Sequence, residues 1–191
     1  MVTFYSIVCK RVLDVVLSGS ALVVSSPVTV AVALAIYLED GRPVFFRQER
    51  VGRDGDVFTI WKFRSMRHDA PALASADASD SQVTAVGRVL RRTNMDELPQ
   101  LFNILRGDMS LVGPRAPLPS QEKLIRLREE GGAMSLRPGL TGLAQVNAYD
   151  GMDDASKAAF DVEYSRRLSL KLDLSVIART FGYLRKPPPK Y

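Results

Sequence analysis

Residues 15–38 read VVLSGSALVVSSPVTVAVALAIYL, 24 positions without a formal charge. As one straight helix this run is about 36 Å long, enough to cross a bilayer core of about 30 Å. A cleaved signal peptide fits less well, because the run is long and no small-residue cleavage site follows it cleanly. Two features also argue against a simple crossing. Ser25-Ser26-Pro27 falls near its centre, where proline removes a backbone donor and the serine hydroxyls can serve the carbonyls so freed. Positive charge stands at both ends. Lys10 and Arg11 precede the run, and Arg42, Arg47, Arg50, Arg53, Lys62, Arg64 and Arg67 follow it against only Glu49, Asp54 and Asp56 between residues 42 and 67. Lys and Arg favour the cytoplasmic side. A helix that enters, breaks at Ser26-Pro27 and returns to the same face satisfies both observations. A kinked transmembrane helix and a buried helix of a soluble protein are the alternatives.

The rest of the chain is polar enough to be one small domain. Its 191 residues suffice for a single compact unit, and 46% apolar content is ordinary. With one cysteine, Cys9, and one histidine, His68, neither a disulfide framework nor a Cys/His zinc site is expected. A metal here would be held by carboxylates and phosphates, as Mg²⁺ is. The net charge of +5 suits an anionic membrane surface or a phosphorylated substrate. The chain carries no nucleic-acid-binding motif, and no nucleic-acid partner is expected.

Turn signals organise the chain beyond the apolar run. Val44-Phe45-Phe46 and Val57 to Trp61, separated by Gly52-Arg53-Asp54-Gly55, predict a small hairpin. Residues 68–85 are small and polar and read as a loop or lid. Residues 86–92 suit a short basic helix, Gln121 to Glu130 a charged surface helix, and Phe160 to Leu184 an amphipathic helix that lies in the headgroup layer or packs on the core. We divide the chain into an anchor over 1–40, a catalytic unit over 41–185 and a flexible tail over 186–191.

The chemistry concentrates at Arg91-Arg92-Thr93-Asn94-Met95-Asp96-Glu97-Leu98-Pro99-Gln100. Proline is tolerated only in a first helical turn, so a helix is expected from about Asp96 to Leu105 with Asp96 at or beside its N-cap. That places two carboxylates among unpaired backbone N–H groups. A bare Asp-Glu pair at a helix start is usually only a cap. Here Arg91 and Arg92 precede it and Arg115 follows on Gly113-Pro114-Arg115, which makes a phosphate site. Carboxylates in a phosphate site either bind a cation or react with phosphorus. A hydrolase working on a glycosidic bond would need its two carboxylates facing each other across a sugar, which adjacent residues do not do.

Six pieces in this order resemble the bacterial sugar transferases, also called monotopic phosphoglycosyl transferases. They are Ser26-Pro27 in an apolar helix; Phe46 to Gly52 (FRQERVG); Trp61 to Met66 (WKFRSM); Arg91 with Asp96 to Asn103 (DELPQLFN); Gly107 to Arg115 (GDMSLVGPR); and Arg137 to Asn147 (RPGLTGLAQVN). The resemblance covers residues 7 to 185. It implies a mostly helical α/β fold: a re-entrant helix–break–helix anchor, a small cytoplasmic catalytic domain and amphipathic interfacial helices. It also implies transfer of a sugar-1-phosphate from a UDP-sugar to polyprenyl (undecaprenyl) phosphate, with UMP released. This is the step that begins exopolysaccharide, O-antigen or glycoprotein glycan assembly at the bacterial inner membrane.

Carried over by motif, Asp96 is the nucleophile on the β-phosphate, becomes a covalent sugar-phosphoryl ester and ligates Mg²⁺. Glu97 assists the second half-reaction by deprotonating or orienting the polyprenyl phosphate. Arg91 and Arg115 hold phosphate oxygens; Lys62, Arg64, Arg137 and Gln145 contact the nucleotide sugar or shape loops. Membrane lipids are implied partners, and a homodimer is left open. Two departures from the pattern stand out: Ala116 where a second proline is usual, and Ala148-Tyr149 where glycine and often arginine are common. The second lies where sugar choice is made.

Overall fold

The computed structural model describes residues 5–68, 82–147 and 152–184. The expected lid falls mostly outside these residues, as do Ala148-Tyr149 and the tail. The described part is mainly helical, with two small two-stranded sheets. A π-helical turn, Tyr5–Cys9, leads into α1, Lys10–Asp40. The hairpin is β1, Phe45–Val51, antiparallel to β2, Val57–Phe63, with Phe46 opposite Lys62. Helix α2, Ala85–Thr93, is capped by Thr84, whose hydroxyl accepts from Gly87 N. Then come α3, Gln100–Arg106; β3, Ser110–Val112; α4, Glu122–Glu130; β4, Gly139–Thr141, parallel to β3; and α5, Leu143–Asn147. Two helices close the fold, α6 at Asp154–Arg167 and α7 at Leu170–Leu184.

Helix α1 continues through Ser26 and Pro27, so the expected break is not a break in secondary structure. Pro27 has no N–H to give the carbonyl of Val23, four residues before it, and the Ser26 hydroxyl donates to that carbonyl instead at 2.8 Å. The local repair lets the helix run on.

Both ends of α1 are fastened to the same globular body. Near its start, Asp14 is buried and accepts from Leu111 N at 2.9 Å and from the Ser110 hydroxyl at 3.1 Å. Lys10 pairs with Asp173 of α7 at 2.7 Å, and Arg11 donates to the carbonyls of Ile104 and Leu105 at the C-terminal end of α3. At the other end Glu39 accepts from Ala85 N and Val86 N, the first amides of α2, while Asp40 pairs with Arg64 at 3.0 Å. Ile36 packs with Phe63 and Leu90 in one apolar cluster; Leu22 lies against a second made of Ile60, Leu101, Ile104 and Met109. The opposite face of the helix is apolar and exposed, with Val24 80% and Leu38 74% exposed. By length and composition α1 is apolar enough to cross a membrane.

Two further expectations change. The segment from Phe160 to Leu184 is not one helix: Leu168 turns extended between α6 and α7, and the Ser169 hydroxyl accepts from Leu172 N to start the second. Helix α7 packs one face on the core and leaves apolar side chains exposed on another. Val176 packs in a cluster with Val112, Leu143 and Tyr164, while Leu170, Leu174 and Phe181 are exposed. The acidic pair does not open an α-helix either. Met95–Glu97 form a 3-10 turn, and α3 begins only at Gln100 with Pro99 as its N-cap. Asn94 adopts φ 54°, which ends α2 and reverses the chain. Pro99 cannot donate to the Met95 carbonyl, which takes Leu98 N in the tighter 3-10 pattern.

Candidate active site

Three elements meet at the acidic pair. The 3-10 turn presents Asp96 and Glu97, strand β2 presents Lys62, and the loop after β3 presents Arg115. Lys62 Nζ lies 2.6 Å from Glu97 Oε1 and 3.9 Å from Asp96 Oδ2. Arg115 Nη2 reaches the same Glu97 oxygen at 3.2 Å. The three side chains Lys62, Asp96 and Glu97 are largely withdrawn from solvent, and Arg115 is about half exposed.

The two neighbouring carboxyls therefore differ. Burial pushes Asp96 up to about 6; Lys62 opposes this, the Glu97 charge adds to it, and Arg91 and Arg115 oppose it more weakly. Burial also acts upward on Glu97, but Lys62 and Arg115 overcome it and hold that carboxyl down at about 2. Glu97 is an ionised carboxylate held at short range by two cations, whereas Asp96 is near the threshold of ionisation, with Lys62 at the longer distance of 3.9 Å. Perturbation of this kind makes the pair a candidate reactive site.

Among the described residues no group of three acidic, histidine or cysteine side chains comes together as a ready-made metal cage. Magnesium does not require one; it commonly takes one or two carboxylates plus substrate phosphates and water. Asp96, buried and poorly compensated, has the chemistry of such a ligand.

Of the residues singled out from the sequence, Asp96, Glu97, Lys62 and Arg115 converge. Arg91 stands beside them, donating through Nε to the Ser65 hydroxyl at 2.9 Å while its charge favours ionised Asp96. Three others are engaged elsewhere. Arg64 is buried against the carbonyls of Asp40 and Gly41, closing the end of α1. Arg137 Nε donates to the Gly107 carbonyl, just past the end of α3 remote from the dyad. Gln145 Nε2 donates to the Leu140 carbonyl at 3.2 Å and shapes the loop at β4. Ser26 and Pro27 lie in the middle of α1.

Two positioning groups are not among the residues expected from the sequence. Asn103 is fully buried; its side chain accepts from Trp61 N at 3.1 Å and donates to the Thr59 carbonyl at 2.8 Å, clipping β2 to α3 and so setting Lys62 against the dyad. A lone polar side chain four residues after Pro99, amid Leu101, Phe102 and Ile104, is the only trace of this in the sequence. Arg128, also buried, pairs with Asp161 at 2.6 Å and donates through Nη1 to the carbonyl of Arg115 at 2.8 Å. The loop bearing Arg115 is held from its other side by close backbone packing. A Cβ on Gly139 would stand 2.1 Å from Gly113 N, and one on Gly142 would stand 2.1 Å from Gly113 O, so only glycine fits at either place.

Comparison with known proteins identifies the family. A model of the family described as bacterial sugar transferase matches residues 5–186. A UDP-glucose:undecaprenyl-phosphate glucose-1-phosphate transferase of Caulobacter vibrioides is 44% identical over 90% of this chain and 67% of its own length. The protein of the same description in Escherichia coli is 39% identical over 93% of this chain and 40% of its own length. An undecaprenyl-phosphate galactose phosphotransferase of Salmonella typhimurium is 37% identical over 90% of this chain. The chain thus spans about two fifths of the length of the last two relatives, 40% and 39%.

Proposed function

The chain belongs to the bacterial sugar transferase family, and from that premise we propose that it moves a hexose-1-phosphate from a UDP-sugar to undecaprenyl phosphate through a covalent ester on Asp96. The observation that carries this reading is the division of labour between adjacent carboxyls. Asp96 has only the long 3.9 Å contact to Lys62 and is the carboxyl left to attack, whereas Glu97 is bound closely by Lys62 and Arg115.

In the first half-reaction an Asp96 oxygen bonds to the β-phosphorus of the donor. The bond from that phosphorus to the bridging oxygen breaks, and UMP leaves with the electron pair. Lys62 and Arg115 stand where negative charge accumulates on the phosphoryl oxygens. In the second half-reaction an oxygen of the polyprenyl phosphate attacks the same phosphorus and returns Asp96 as a carboxylate. Glu97 is a weak base with its carboxyl near 2, which favours orienting Lys62 and Arg115 over deprotonating the acceptor. Mg²⁺ held by Asp96 and the donor phosphates would supply further positive charge to the leaving group.

The acceptor is a lipid with a phosphate head, so the site must sit at membrane depth. Helix α1 supports a course within one leaflet rather than across the bilayer: its two ends are pinned to one globular body while its outer face is apolar. Burying such a face in lipid gains about 1.5–3 kcal/mol per large aliphatic side chain. The exposed Leu170, Leu174 and Phe181 of α7 extend the lipid-facing surface. Basic residues flanking α1, and a nucleotide-sugar donor, support a position on the cytoplasmic face. The reading is tested by adding UDP-glucose, UDP-galactose and other UDP-sugars to reconstituted protein with Mg²⁺ and undecaprenyl phosphate. UMP release with at least one donor, lost in Asp96→Asn, is expected; no UMP with any donor contradicts it.

A further inference from the structure

The hairpin sorts its aromatic residues onto two faces. Alternation along β1 puts Phe45 and Arg47 on one face with Trp61 and Phe63 of β2, and Phe46 on the other, directly opposite Lys62. On the first face every ring is partnered. Phe45 stacks on Phe63 with centroids 5.4 Å apart and meets Trp61 in a T-shaped arrangement at 6.0 Å, and the Arg47 guanidinium covers Trp61 at 4.1 Å. Phe46 has neither a ring nor a cation partner among the described residues, and it is 40% exposed.

A single exposed phenylalanine is ordinary on a protein surface. Its register sets this one apart. Residues directly opposite each other across an antiparallel pair hold their Cβ atoms about 5 Å apart on one face. Phe46 therefore stands beside the stem of Lys62, whose ammonium lies 2.6 Å from Glu97 and 3.9 Å from Asp96. The one unpartnered ring of the β1–β2 hairpin face is thus next to the lysine that reaches both carboxyls.

We propose that Phe46 is the stacking platform for the uracil ring of the nucleotide donor. The assignment rests on the function proposed above. The hexose is bonded to the phosphorus that Asp96 attacks, so it lies at Asp96. Phe46 is set back from that carboxyl by the length of the lysine stem, which suits the nucleoside at the far end of the diphosphate. Of all the parts of the two substrates, only the base is a flat aromatic ring. Stacking on its face needs another ring and is not reproduced by an aliphatic side chain of similar bulk. A polyprenyl tail makes no such distinction, since it gains from any apolar surface.

The direct test is calorimetric binding of UMP, and of ribose 5-phosphate, which lacks the base, to the full-length reconstituted protein. Neither measurement depends on turnover. Phe46→Leu keeps an apolar side chain and removes the ring; Phe46→Tyr keeps the ring. Both replace a partly exposed side chain, and unchanged thermal melting confirms that both fold. Phe46→Leu should weaken UMP binding about tenfold, whereas Phe46→Tyr should stay within about twofold of wild type. Ribose 5-phosphate should bind all three proteins alike. In turnover the donor KM should rise with the UMP Kd, and discharge of preloaded enzyme by undecaprenyl phosphate should keep its acceptor KM. Wild-type UMP affinity in Phe46→Leu overturns the proposal, as does equal loss in the leucine and tyrosine variants. So does wild-type protein that binds UMP no more tightly than ribose 5-phosphate. A change confined to the acceptor KM overturns it too, and would assign the ring to the polyprenyl chain. Failure of wild-type protein to release UMP from any donor would instead count against the function, while the comparison of the two ligands would still decide the role of the ring.

Discussion

Lys62 and Glu97 form a 2.6 Å ion pair, and the same ammonium stands 3.9 Å from Asp96. This asymmetry makes two adjacent carboxyls chemically different. Arg115 deepens it by binding the Glu97 oxygen already engaged by Lys62. On the mechanism proposed here, Asp96 is available for attack because Glu97 takes the shorter contacts to Lys62 and Arg115.

The asymmetry sets a pH dependence. Asp96 attacks only when ionised and its carboxyl is raised to about 6, so covalent loading should fall as pH drops through about 6 and level off above. Lys62 favours the ionised form, and Lys62→Met should move the midpoint upward. Glu97 disfavours it and occupies Lys62, so Glu97→Gln should move the midpoint downward while the adduct still forms. Single-turnover UMP release measured across pH 5 to 8, a window chosen on the order of two pH units about that midpoint, checks all three. Shifts of the opposite sign would refute the electrostatic account.

The Arg128–Asp161 pair should prove structural and directional. Both residues are almost wholly buried, so Arg128→Met alone should cost up to about 3–5 kcal/mol by stranding a buried carboxyl. Burial already pushes Asp161 upward, and its protonation would soften that loss. Replacing both with apolar residues should restore thermal stability and not the hydrogen bond to the Arg115 carbonyl. The double variant is therefore expected to fold with a raised donor KM. A donor KM equal to wild type would show that Arg128 does not position Arg115.

Topology is tested with single cysteines at Val8 and Arg42 in a Cys9→Ser background. Both positions flank α1 and are exposed. In sealed inverted vesicles, an impermeant maleimide should label both from the cytoplasmic side. Labelling from opposite sides would demand a spanning helix and would be hard to reconcile with Asp14 and Glu39 anchoring to one domain.

Local signals in the sequence carried much of this fold. Gly52-Arg53-Asp54-Gly55 marks the hairpin, the basic run 86–92 falls within α2, and the apolar run of α1 is plain. That Asp96-Glu97 would gather cations was legible from its arginine neighbours, and Arg115 does reach Glu97. Which arginines serve the site was not. Sequence gives charge without direction, and Arg64 and Arg137 are drawn to backbone carbonyls, at Asp40 and Gly41 and at Gly107, that become acceptors only once the chain has folded. The Lys62–Glu97 pair depends on the register of β2 and on Asn103 fastening it to α3, contacts across some forty residues that no local pattern encodes. The 3-10 turn escaped because Pro99 alone suits a first helical turn; the left-handed Asn94 makes the difference.

The most direct test is intact-protein and peptide mass spectrometry of enzyme mixed with Mg²⁺ and its UDP-sugar in the absence of acceptor, quenched within one turnover. A hexose-phosphate mass increment on the peptide bearing Asp96, absent in Asp96→Asn and discharged by undecaprenyl phosphate, is the predicted result. Normal turnover with that side chain unmodified would contradict the mechanism.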